Sequence, residues 1–257
     1  MTTQGKQTTD FRPEQRAGRR SLTIGLSLGL SVLLPSPTDA VAGQATTGKI
    51  IIDGVVYGGS DARIEQGSGV LGKEHRDVEK FRAIHVAAGI DLNYRNGPAQ
   101  SIEIIGDRNL IPIIETSVSG SVLTIASRKS YQQHLPLTIE ITSPRLDSLA
   151  LHGADDIRLT ALRQESFALT LNGSGNVTAD GQIDRFSVTV NGAGDINAQG
   201  LVSKLADIRL SGSGDISVTA RETLKAYLIG SGDIIYYGHP AHIEKRIIGS
   251  GDLQPGD

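Results

Sequence analysis

From Phe81 onward apolar and polar residues alternate along the chain. Phe81-Arg82-Ala83-Ile84-His85-Val86 does so, as do Ile102-Glu103-Ile104 and Val122-Leu123-Thr124-Ile125. Leu135-Pro136-Leu137-Thr138-Ile139-Glu140-Ile141 repeats the pattern, and Gly, Asn and Asp clusters separate the runs. Alternation at period two is the mark of strands with one face turned inward. No stretch after residue 43 holds a helical apolar period for three turns. The pattern predicts an all-β protein.

From residue 149 the alternation is itself repeated. Gly-x-Gly-Asp or a near variant begins at Gly173, Gly192, Gly212, Gly230 and Gly249, with a degenerate first copy, Gly153-Ala154-Asp155-Asp156. Subtracting successive first glycines gives spacings of 20, 19, 20, 18 and 19. Two residues before the first glycine stand Leu151, Leu171, Val190, Leu210, Leu228 and Ile247. Four residues after it stand Ile157, Val177, Ile196, Ile216, Ile234 and Leu253. Four residues before it come Leu149, Leu169, Val188, Ile208 and Ala226, and then Lys245 breaks the apolar series. Eight residues after it come Ala161, Gly181, Gly200, Ala220 and Gly238, always small. Gly-x-Gly supplies a corner where positive φ is cheap, and the small residue marks a second corner. A unit this short cannot bury its own apolar face, but stacked units can. The expected architecture is a right-handed parallel β-helix-like solenoid with roughly 19-residue Gly-x-Gly-Asp repeats. The less regular strands of residues 78–146 are expected to begin the stack or to cap it.

Residues 1–42 read as a signal peptide. Arg16, Arg19 and Arg20 close a basic segment, Leu22 to Leu34 is apolar, Pro35 and Pro37 follow, and Ala40-Val41-Ala42 is a small-x-small cleavage site. The apolar run is 13 residues, short of the ~20 a membrane helix needs. Arg19-Arg20 is compatible with twin-arginine export, and the general secretory route stays open beside it. Residues 43–72 are Gly-rich and are expected to form a linker or lead-in, leaving 73–257 for the solenoid. No transmembrane segment is expected in the mature chain.

Composition narrows the picture further. The chain has no Cys and no Trp, with 4 Phe and 6 Tyr. Disulfides, thiolate metal sites and a lipidated N-terminal Cys are therefore ruled out, and the core must be filled by small and branched residues. The formal net charge is −3. Cleavage after residue 42 would remove five basic and three acidic residues, giving −3 − 2 = −5. Neither nucleic acid nor an anionic membrane surface is an expected partner.

At this point the chain resembles the family called putative autotransporter adhesin, head GIN domain, over about residues 75–253. The resemblance lies in Arg76-Asp77-Val78-Glu79-Lys80-Phe81-Arg82-Ala83-Ile84, Val86-Ala87-Ala88-Gly89-Ile90-Asp91-Leu92 and Ile104-Ile105-Gly106-Asp107-Arg108-Asn109-Leu110. Pro136-Leu137-Thr138-Ile139-Glu140-Ile141-Thr142 then leads into the Gly-Ser-Gly-Asp ladder. It implies an envelope or secreted β-solenoid and no catalytic residues. An autotransporter needs a C-terminal membrane barrel. With the sequence ending at Asp257, the expectation is a free or partner-held adhesin.

Four sets of residues invite chemistry. Asp156, Asn176, Asp195, Asp215, Asp233 and Asp252 should stack on one edge. A calcium site there competes with local capping of each turn, and one acidic residue per turn favours capping. His239 and His242 are three apart but lack the further ligands of a closed zinc site. Asp155, Asp156 and Asp184 could be cast as glycosidase carboxylates, with Tyr227, Tyr236 and Tyr237 the only tyrosine cluster in the repeats. Lys245 and Pro255 read as protection of an open solenoid edge, favouring a monomer or small oligomer. No catalytic, cofactor-binding or metal-binding residue is assigned, and no enzyme is expected. The leading expectation is a non-catalytic exported cell-envelope protein that binds a surface protein or polysaccharide through the solenoid face. An envelope scaffold acting by self-association is second, and a polysaccharide-active β-helix enzyme third.

Overall fold

A computed structural model describes residues 64–257 together with two short strands upstream, β1 (Ile50–Ile52) and β2 (Val55–Tyr57), which pair with each other. The expected signal peptide, residues 1–42, lies outside the described residues. Next come β3 (Glu65–Gln66), β4 (Leu71–His75), β5 (Ala83–Ala87), β6 (Asp91–Asn96) and β7 (Ser101–Asp107). A single 3-10 turn, Ile111–Ile113, leads to β8 (Ile114–Ser119), β9 (Val122–Ser127), β10 (Tyr131–Gln132) and β11 (Thr138–Ser143). Then follow β12 (Ser148–Gly153), β13 (Ile157–Gly173), β14 (Val177–Gly192), β15 (Ile196–Gly212) and β16 (Ile216–Gly230). The chain closes with β17 (Ile234–Tyr237), β18 (His242–Gly249) and β19 (Leu253–Pro255).

The protein is an all-β solenoid. β12 to β16 stack in parallel, and β17 and β18 both add to β16 on its two halves. Each full rung is a single long strand bent partway along, where the register shifts between Leu159 and Leu162 in β13 and between Thr178 and Gly181 in β14. At the bends of β13 and β14 the backbone turns left-handed, with φ +58 at Ala161 and +138 at Gly181, whereas the equivalent Gly200 and Ala220 do not take positive φ.

Alternation then builds the core. Leu151, Leu171, Val190, Leu210 and Leu228 form one inward column, and Ile157, Val177, Ile196, Ile216 and Ile234 form another. Phe167 stacks on Phe186 with ring centroids 6.0 Å apart, and Ala206 and Leu224 continue that column. Burying one Leu or Ile contributes about 1.5–3 kcal/mol, so the columns drive the stacking.

Residues 78–146 both begin the stack and cap it. β5 and β6 supply parallel rungs beneath β12 and β13, and β9 and β11 lie beneath those. Antiparallel strands then close this end, β8 on β9, β7 on β11 and β4 on β7. The C-terminal part of the Gly-rich 43–72 stretch thus enters the sheet through β4. Asp107 fastens it there. Its fully buried carboxylate accepts N–H bonds from Gly69 at 2.6 Å, His134 at 2.8 Å and Leu135 at 3.0 Å.

The Gly-x-Gly corners set the rung spacing. The residue after each first glycine donates its N–H to the first glycine's carbonyl one rung below, as from Ser213 to Gly192 at 3.0 Å. Gly212 has φ +149, and a Cβ there would sit 1.7 Å from the Gly192 oxygen. Gly212→Ala is therefore expected to cost more than about 3 kcal/mol in urea unfolding. Ser213→Ala, on the exposed residue beside it, should stay within about 0.5 kcal/mol of wild type. An alanine at 212 tolerated as well as the one at 213 would contradict this stacking.

Candidate functional site

The outward residues of β12–β16 and β18 form a flat face of three columns. The first reads Ser148, Ala168, Ser187, Asp207, Lys225, Glu244. The second reads Ala150, Thr170, Thr189, Arg209, Tyr227, Arg246. The third reads His152, Asn172, Asn191, Ser211, Ile229, Ile248. The first three rungs carry small polar groups, joined by an amide ladder in which Asn191 donates to Asn172 Oδ1 at 2.8 Å. The last three rungs change character. The Arg246 guanidinium lies 5.6 Å from the centre of the Tyr227 ring, a cation–π distance. Asp207, Arg209, Lys225, Tyr227, Glu244 and Arg246 line an open depression of about 330 Å³. Here Lys225 reaches Glu244 at 3.6 Å and Arg209 reaches Asp207 at 3.4 Å.

The Asp ladder is wired between rungs. Asp195 Oδ1 accepts the N–H of Asp215, Asp215 Oδ1 that of Asp233, and Asp233 Oδ1 that of Asp252, each at 2.8 Å. At the bottom, Asp91 Oδ1 accepts the N–H of Asp156 at 3.1 Å, and Asn176 donates to Asp156 Oδ1 at 3.0 Å. The Asp91, Asp195, Asp215 and Asp233 carboxylates therefore bond the backbone of the next rung and not their own turn, while Asp156 bonds the side chain of the next. Only Asp252, at the top, accepts from its neighbour Leu253. Each bond to a charged acceptor stabilises by about 1.5–3 kcal/mol when shielded from water, and less at an exposed edge such as this one. Among the described residues no three His, Asp or Glu side chains converge as a metal site.

The other candidates are spread apart. His239 lies in an exposed loop and His242 begins the exposed β18. Asp155 and Asp156 stand at the first corner, whereas Asp184 lies beyond the bend of β14 and pairs with Lys204 at 2.8 Å. The tyrosines do not form a platform either. Tyr236 packs against the core and lines, with Tyr237 and His239, a depression of about 530 Å³, and only Tyr227 is on the flat face.

Asp155, cast from the sequence as a possible glycosidase carboxylate, is a buried group. Asp155 occupies the position that is glycine in later copies, where a Cβ would strike the rung below; at Gly175 it would sit 2.3 Å from the Asp155 carbonyl oxygen. The rung beneath Asp155 belongs to the cap, so a side chain fits. Its carboxyl is 7% exposed, and Oδ2 has no hydrogen-bond partner. Burial, then the nearby Asp91, pushes its pKa up to about 6, against the pull of the Ile90 and Gly89 N–H groups. Beside it, the Tyr131 hydroxyl donates to the Ala88 carbonyl at 2.8 Å. Burial and these two aspartates raise the tyrosine's pKa as well. The departure from glycine at residue 155 was the available signal, and nothing in the local sequence showed that the carboxyl would be buried.

A family described as putative auto-transporter adhesin, head GIN domain, matches residues 80–240. The chain belongs to this family. The head GIN domain thus covers the solenoid from the last residues before β5 to the end of β17. Two solved structures share its fold. A protein described as a putative adhesin from Bacteroides fragilis is 22% identical, with a TM-score of 0.63 over 74% of this chain and 99% of that one. A protein described as a putative lipid binding protein from Parabacteroides distasonis is 22% identical, with a TM-score of 0.53 over 76% of this chain and all of that one. No curated protein matches the chain. Among the described residues no helix is long and apolar enough to cross a membrane.

Two aspartates in this head GIN domain should titrate in opposite senses. Asp155, raised in the folded state, lowers stability as pH climbs from about 4 to about 6. Asp155→Asn should therefore stabilise the protein at pH 8, by up to about 3 kcal/mol, and make little difference at pH 4. Asp107 is lowered by its three N–H donors, so its contribution is present at neutral pH and fades as pH falls below the ordinary carboxyl value. Asp107→Asn should destabilise at pH 7 and lose its effect in acid. Melting curves of both variants across pH check the pair, and parallel pH profiles for the two would refute the assignment.

Proposed function

We propose that this head GIN domain protein is an exported, non-catalytic binding module of the cell envelope. It holds a surface polymer or surface protein on the flat outward face of β12–β18. The observation that carries the reading is the face itself: three unbroken columns, ending in an Arg209–Tyr227–Arg246 row beside an open depression. A regular strand spacing presents equivalent donors at constant intervals, which suits a repeating polymer. A half-buried tyrosine flanked by guanidinium groups adds a ring surface and forked donors for sugar hydroxyls, carboxylates or peptide groups. The family's description as adhesins supports the same reading, and the features of residues 1–42 support export. Glycan chemistry is not assigned, because Asp184 is engaged by Lys204 and lies away from Asp155 and Asp156.

Binding of the purified chain to immobilised envelope polysaccharides and to whole cells tests this. Tyr227→Ala should weaken binding at least about tenfold, roughly 1.4 kcal/mol, with the melting temperature unchanged. Thr189→Arg, which plants a bulky charge in the middle of the small polar columns, should weaken it too. Binding indifferent to both substitutions would remove the face from the account.

A further inference from the structure

The two ends of the outward-face sheet are finished differently. At one end β8 closes the stack antiparallel on β9. At the other, β18 is the last rung and, among the described residues, pairs with β16 alone. Every residue from His242 to Arg246 is exposed. Alternate backbone N–H and C=O groups of such a strand point away from its one neighbour and have no ladder to join.

The inward columns also end uncovered at β18. Ile243 terminates the column of Phe167, Phe186, Ala206 and Leu224, and is 45% exposed. Ile247 terminates the Leu151 to Leu228 column and is only partly buried. Between them Lys245 terminates the Leu149 to Ala226 column, and no ion pair among the described residues engages its ammonium group. The edge therefore presents apolar, cationic, apolar at period two, with unpaired backbone along its length.

We propose that β18 accepts one extended segment of a partner protein as an additional strand. Its inward side chains would read apolar, acidic, apolar against Ile243, Lys245 and Ile247. A polysaccharide has neither the backbone donors and acceptors in strand register nor apolar groups at period two. A peptide strand has both. Strand addition covers the isoleucines, and the carboxylate neutralises Lys245 where the sheet would otherwise enclose a lone charge.

A second copy of this chain is a poorer occupant. Two β18 strands in the antiparallel register that pairs Glu244 with Arg246 set Lys245 against Lys245. Like charges directly opposite destabilise such a pair. The far edge of the same sheet, β8, offers Thr116 and Val118 opposite the inward Ile125 and Leu123, with no carboxylate between them. The edge adjoins the depression, which Lys245 helps to line, but it uses the inward residues and free backbone of β18 and not the tyrosine ring, so different substitutions test the two readings.

The test uses a fluorescein-labelled peptide of sequence Thr-Val-Thr-Glu-Thr-Val-Thr, titrated with the purified chain and followed by anisotropy. Saturable binding is expected. Replacing the central Glu of the peptide by Lys should weaken it at least about tenfold, and N-methylation of alternate peptide amides should abolish it. Lys245→Glu in the protein should reverse the preference between the Glu and Lys peptides, whereas Tyr227→Ala should leave it intact. Equal affinity for the two peptides, or no saturable binding, would overturn the proposal. So would a concentration-dependent mass in light scattering that Lys245→Glu alters, which would assign the edge to a second copy. Displacement of the peptide by polygalacturonate from wild type but not from Lys245→Glu would assign it to a glycan, with the same consequence.

Discussion

At each corner the residue between two glycines gives its N–H to the carbonyl of the first glycine one rung below, at 3.0 Å in the bonds from Ser174, Ala193, Ser213, Ser231 and Ser250. That bond brings one backbone so close to the next that no Cβ fits at the first glycine. The spacing it sets is the spacing of a parallel sheet, ~4.8 Å. The inward Leu, Ile and Val columns then meet in contact, and the outward columns come out level. The Asp ladder acts on the same corner from outside, each carboxylate receiving the N–H of the aspartate above. Backbone approach, core packing and the flat outer face are consequences of one geometry.

The same geometry explains where the molecule departs from regularity. A corner forbids side chains where another Gly-x-Gly corner lies beneath it, and beneath the first copy lies the Ala88-Gly89-Ile90 corner between β5 and β6 instead. Asp155 can occupy a glycine position there, at the cost of a buried carboxyl with an oxygen left unbonded. At the top the opposite holds. Among the described residues nothing lies above the last rung, so Lys245 can stand in an apolar column. Both exceptions sit at ends of the repeat array, and both are ionisable.

Much of the architecture was legible in the sequence, because a stacked β-fold converts period-two alternation and repeated spacing directly into faces and columns. The all-β solenoid follows from Leu151, Leu171, Val190 and their successors without knowledge of any long-range contact. The cap was not legible in the same way. The pairing of β4 with β7, and the grip of Asp107 on Gly69, His134 and Leu135, join residues with no repeated spacing to betray them. Local reasoning also favoured each Asp capping its own turn, since an isolated Asx turn is stable without a neighbour. Once rungs stack, the N–H above is better placed. The candidate face was half visible: its columns follow from alternation, but the meeting of Tyr227 with Arg246 requires the register between β16 and β18. Of the neighbouring pair, Tyr236 packs against the core, and both Tyr236 and Tyr237 line a depression apart from the flat face.

The stacking can be measured as distances along one outward column. The chain has no cysteine, so spin labels can be placed at will by substitution at Ser148, Ser187 and Glu244. Ser187 and Glu244 are three rungs apart in register, and Ser148 and Glu244 five. At ~4.8 Å per rung the backbone separations are ~14 Å and ~24 Å. Pulsed electron–electron resonance should find narrow distributions whose means differ by about 10 Å. Broad distributions, or means that do not scale with the number of rungs, would contradict the solenoid from which the rest of the account is built.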